Sequence, residues 1–247
     1  MNQIKIVLSY LGLSVAGAAL LVVFVLMTPA PTRTLVVREK MVVAGVFIII
    51  CVFGVSFSLR PNWLRPFISK KDNTEKNHSE ALQRSFRGHH PDCETFENHR
   101  MIYQNKTWCA GCLGLLIGCL LSIILMILYV VVPFQQSPTI SRLLLPLGLL
   151  IIAFVFLESI VGSRHSIIHV LSNGMLVLSS FFITTSIVEL SGKVVYGLFT
   201  ILLCILWLDT RIQLSRWHHR RLCSSCPESC KIYVSTIIFE RGYEFQR

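Results

Sequence analysis

The sequence predicts an all-α integral membrane protein of about six transmembrane helices, with a cytoplasmic His/Cys-rich metal-binding loop and a Cys-rich C-terminal tail. Three observations carry that expectation. The 247 residues are 53% hydrophobic and only 15% charged, with a mean hydropathy of +0.63, whereas a soluble domain carries roughly 25% charged residues. The apolar residues gather in six runs, at 4–28, 41–59, 109–132, 143–157, 167–188 and 194–208. The basic residues fall very unevenly between the segments that join those runs.

Crossing the hydrocarbon takes about 20 mostly apolar residues, and the two shorter runs extend through weakly polar neighbours. The first run has an apolar core longer than the roughly 7–15 residues of a signal peptide, which favours a retained helix. Its Gly12, Ala16, Gly17, Ala18 and Ala19 permit close helix contact. The second follows Arg38-Glu39-Lys40 and stops at Arg60-Pro61, where Trp63 and Arg65 suit a membrane interface and Pro61 and Pro66 block further helix. Residues 69–80 are polar and expected to be mobile.

The third run opens on Cys109 and Cys112, and Gly114-x-x-x-Gly118 supplies a bare face for packing. Cys51, Cys119 and Cys204 lie within apolar runs and read as small buried hydrophobes. The fourth run ends at Glu158, the fifth carries His169, Asn173 and Gly174, and the sixth ends within 207–211. A β-branched stretch at 232–239 suits a short strand, able to pair with the 60–108 loop. The resulting plan is a two-helix hairpin at 1–60, a loop at 61–108, a four-helix region at 109–210 and a tail at 211–247.

Six spans put the N-terminus, the 60–108 loop, the 158–166 turn and the tail on one side, with 18 Lys and Arg against 5 on the other. Basic flanks stay cytoplasmic, which predicts a protein of the cell membrane with both termini inside. The net charge of +10 is then mostly one face, suited to anionic lipid headgroups and giving no argument for nucleic acid.

Two groups of residues carry metal chemistry. His89, His90, Cys93 and His99 precede Cys109-x-x-Cys112 by a short stretch. Thiols on a cytoplasmic face seldom form disulfides, and a Cys-x-x-Cys there without a thioredoxin-like unit suits metal. Zinc takes a closed tetrahedral Cys/His set; His90, Cys93, Cys109 and Cys112 are the first choice, with His89 or His99 as substitutes. The second group is His218-His219 with Cys223, Cys226 and Cys230, where one histidine would complete three thiolates. One or two zinc ions are expected, as two sites or one shared centre. An iron–sulfur cluster at the second group and palmitoylation of its cysteines remain open.

The run of His89, His90 and Cys93 followed by Cys109, Cys112 and Gly114 resembles a family of small, uncharacterised prokaryotic multispanning membrane proteins. Those proteins carry a His/Cys segment before a CARCTG-like stretch that opens a spanning helix. The resemblance covers residues 86–120 and implies a membrane protein with a metal-binding loop, without a reaction. This chain departs from it with Gly111 and Leu113, where that stretch has arginine and threonine.

Two functions follow as expectations. One is a zinc-stabilised membrane subunit or scaffold contacting membrane lipids, a partner subunit or a second copy. The other is a membrane-embedded metalloenzyme using Glu158, His165 and His169, in which His165 and His169 share a helix face by their i, i+4 spacing. No Walker, dinucleotide or GxSxG motif is present, and residues 165–169 lack the glutamate of a zincin helix.

Overall fold

The computed structural model describes residues 3–27, 36–59, 86–87, 100–103, 106–132, 138–162 and 165–224. Six helices in these segments are long and apolar enough to cross a membrane. They are α1 (Gln3–Met27), α2 (Val37–Leu59), α3 (Ala110–Val131), α4 (Pro138–Val161), α5 (Ser166–Ser191) and α6 (Val194–Ser224). Three short strands precede α3: β1 (Phe86–Arg87), β2 (Arg100–Tyr103) and β3 (Lys106–Cys109).

Contacts between helices fix their directions. Lys40 at the start of α2 meets Glu189 at the end of α5, while Gly114 of α3 lies on Val170 of α5. Ile4 of α1 and Trp217 of α6 line one groove, and the rings of Phe24 and Tyr196 lie 4.0 Å apart at the other end of that helix pair. The bundle therefore has a His165 end, named for the α4–α5 turn, and a Gly192 end, named for the α5–α6 turn. Glycine is required at both turns, because Gly162 and Gly192 adopt φ of 73° and 61°.

α5 is the most buried span, although it and α6 are the least apolar of the six. Lipid cannot satisfy a hydroxyl, so these polar side chains turn inward and bond locally. Ser180, Thr185 and Ser186 each donate to the carbonyl four residues back. Small residues then let neighbours close in. A Cβ at Gly114 would stand 2.2 Å from the Val170 carbonyl oxygen, and one at Gly118 would stand 2.8 Å from Gly174 Cα. The Gly-x-x-x-Gly face of α3 is thus a packing surface against α5. α1 is fastened to α6 by Ser14 and Thr210, whose hydroxyls are 2.7 Å apart, and by Trp207 Nε1 donating to the Ser14 carbonyl at 3.2 Å.

Two elements differ from expectation. The 61–108 loop contains a three-stranded sheet, ordered β1-β3-β2, with β2 antiparallel to β3 and Arg100 opposite Cys109. Ile102, Tyr103, Thr107 and Trp108 favour extended backbone, a signal diluted by the surrounding charges. The sixth helix does not stop near Arg211: α6 has 31 residues, a length of about 46 Å against a hydrocarbon core of about 30 Å. Nothing between Arg211 and Ser224 is a glycine or proline, so the helix continues through the start of the tail. The strand expected at 232–239 lies outside the described residues.

Candidate functional site

Cys109 sits where β3 becomes α3. It is the last strand residue, its backbone is extended at the helix N-cap, and no side chain caps the first turn. Cys112 lies one turn further on. Both thiols are buried, neither is in a disulfide, and the two interact. Helix N-terminal amides favour nearby negative charge, so this junction suits thiolates, the form in which cysteine binds metal. A Cβ at Gly111 would stand 3.9 Å from Cys109 Sγ and 3.6 Å from Asn173 Nδ2; the junction therefore lies against α5.

The remaining first-group residues, His89, His90, Cys93 and His99, lie outside the described residues. Arg100, the partner of Cys109 across the hairpin, is the neighbour of His99 in the chain. In the second group, His218 and His219 stand on the projecting end of α6, and Cys223 falls in its last turn. Positions 219 and 223 are i, i+4 in that helix, the spacing of residues on one face. His218 is turned elsewhere, since a Cβ on Gly162 would stand 2.3 Å from its Cε1. Cys226 and Cys230 lie outside the described residues. Among the described residues no three His, Cys, Asp or Glu side chains are grouped to hold a metal ion.

A third place, at the His165 end, joins α4, α5 and α6. Glu158 Oε1 is 3.0 Å from His169 Nδ1, and Oε2 accepts from Ser172 at 2.9 Å. Arg211 Nη2 approaches Oε2 only to 3.6 Å, beyond a good hydrogen bond. All three charged or ionisable side chains are at most 10% exposed. Glu158 Oε1 nevertheless lacks a well-aligned hydrogen bond, and Arg211 Nε has no hydrogen-bond partner. Of the expected trio, Glu158 and His169 come together while His165 is exposed at the N-cap of α5. Arg211 and Ser172 complete the group. Reading the sixth helix as ending near 211 hid Arg211, which the longer helix carries inside the bundle.

Comparison of the chain with protein families, with curated proteins and with solved structures finds no match.

Proposed function

We propose that this chain is an integral membrane subunit or scaffold in which zinc, held through Cys109 and Cys112, fastens the segment before α3 to the bundle. One observation supports this above the others: two buried thiols meet at an uncapped helix start that is also the end of a hairpin strand. His90 and Cys93, with His89 or His99 as substitutes, would complete the tetrahedron, and neutral imidazoles would limit the negative charge left on the site. A second zinc cap would take Cys223, Cys226 and Cys230 with His219 or His218. The 18-to-5 division of basic residues supports a cell-membrane protein with both termini and both metal groups in the cytoplasm. The basic face would meet anionic lipid or a partner subunit.

Metal analysis of the purified protein tests this. Zinc of about one or two ions per chain is expected, and replacing Cys109 by Ser removes one and loosens the preceding segment, because metal binding is folding energy here. Zinc well below stoichiometry in metal-replete protein would sink the reading, and iron with acid-labile sulfide would replace it with a cluster.

The contact between Glu158 and His169 supports a second reading, an enzyme acting at the membrane boundary. Arg211 beside the same carboxylate opposes a cation there, so the group serves more readily as a polar clamp. A Glu158→Gln protein that stays folded but loses an activity would favour the enzyme.

A further inference from the structure

Cys51 and Cys119 looked unremarkable as isolated residues within two apolar runs, but the fold brings them together. Both are buried in one apolar cluster at the α2–α3 interface, and neither is in a disulfide. A Cβ at Gly54 would stand 2.7 Å from Cys119 Sγ, so a glycine on α2 makes the room this sulfur occupies. Cys119 is nine residues into α3 and Cys51 eight residues from the end of α2. Both depths are about 12–14 Å from the His165 end, close to the middle of a bilayer.

We propose that Cys51 and Cys119 form a site for a soft, monovalent, two-coordinate cation of the Cu⁺ class. Three features select that ion. Thiols favour soft metals over magnesium, calcium or other oxygen-seeking ions. Asp209 stands at a similar depth on α6 but turns to Tyr10 of α1, while the side chains packed with Cys51 and Cys119 are apolar, among them Phe47, Met126 and Phe181. Two sulfurs fall short of the four ligands of structural zinc and suffice for linear Cu⁺.

Charge makes the same selection. A monovalent ion that replaces one thiol proton gives a neutral thiolate–metal–thiol unit, and the proton leaves to water. An apolar core tolerates a neutral unit far better than a net charge. The row of sulfurs on α3 also fits. Cys112, Cys119 and Met126 are all buried and seven residues apart, so they recur on nearly one face at about 10 Å intervals. The row begins at the Cys109–Cys112 pair, yet the deeper site does not depend on zinc there.

The test uses the full chain in detergent, reduced, anaerobic and zinc-loaded. Titrated with Cu⁺ against a chromogenic Cu⁺ chelator, the wild type should retain one ion more than the Cys51→Ala/Cys119→Ala protein, with zinc content equal in both. An unchanged Cu⁺ count would overturn the proposal, whereas a zinc deficit in both proteins would bear on the Cys109–Cys112 site alone. Should the double variant misfold, wild-type protein still decides. Ag⁺ at about nine times its dissociation constant should slow maleimide labelling of Cys51 and Cys119 roughly tenfold, by mass action. Equal labelling rates with and without Ag⁺ would reject the site.

Discussion

The two ends of the bundle each hold a carboxylate, buried at Glu158 and half-buried at Glu189, and they treat it differently. At the Gly192 end, Glu189 Oε1 receives both Lys40 Nζ and the Tyr129 hydroxyl, the latter at 2.7 Å. Lys40 also stands 4.9 Å from the centre of the Tyr129 ring. Every named partner there comes from α2, α3 or α5, and the charges find close mates. At the His165 end, Glu158 is the more buried carboxylate, yet its guanidinium partner stands off at 3.6 Å and two polar atoms lack hydrogen bonds. One cluster is a finished clamp, whereas the other is a polar group held under-satisfied. In a low-dielectric interior the second arrangement costs more to keep and more to disturb.

The largest effect should come from Arg211→Met, which leaves Glu158 buried without its cation. A loss of about 3–5 kcal/mol is expected, measured by reversible unfolding in mixed detergent, and most of it should return in Arg211→Met/Glu158→Gln. A double variant as unstable as the single one would show that Arg211 acts through packing, not charge. Next comes Gly162→Ala. The positive φ and the His218 ring both resist a Cβ, so roughly 1–3 kcal/mol should be lost. Adding His218→Ala should recover the steric part, which a double-mutant cycle would isolate.

Ser172→Ala removes one hydrogen bond to Glu158 and should cost about 1 kcal/mol. The smallest effect belongs to the other end: Lys40→Met should cost about 0.6 kcal/mol, the average for an interhelical polar contact in a membrane protein. If Lys40→Met proved as damaging as Arg211→Met, the contrast between the two ends would fail.

Much of the architecture was legible in the residues because lipid imposes a simple rule. Apolar runs of spanning length must be helices, since the backbone has no other way to satisfy itself in hydrocarbon, and the six runs correspond to the six helices. The glycine face of α3 was legible as a packing surface, though its partner was not. The start of β3 and the far end of α6 were missed for one reason: hydropathy stops reporting where the chain leaves the apolar phase. Arg211 was missed with them.

By itself, then, the sequence determined the number of spans, the thiol pair at the mouth of α3 and the presence of a carboxylate and histidines around the α4–α5 turn. These depend on local composition and on spacing within one helix. Tertiary structure decided which helices touch. It set Cys51 against Cys119 and chose Arg211 and Ser172 over His165 as companions of Glu158 and His169. Those contacts run between side chains on different helices, and they depend on the rotation of each helix about its own axis. That rotation is set by which small residues let which neighbours approach.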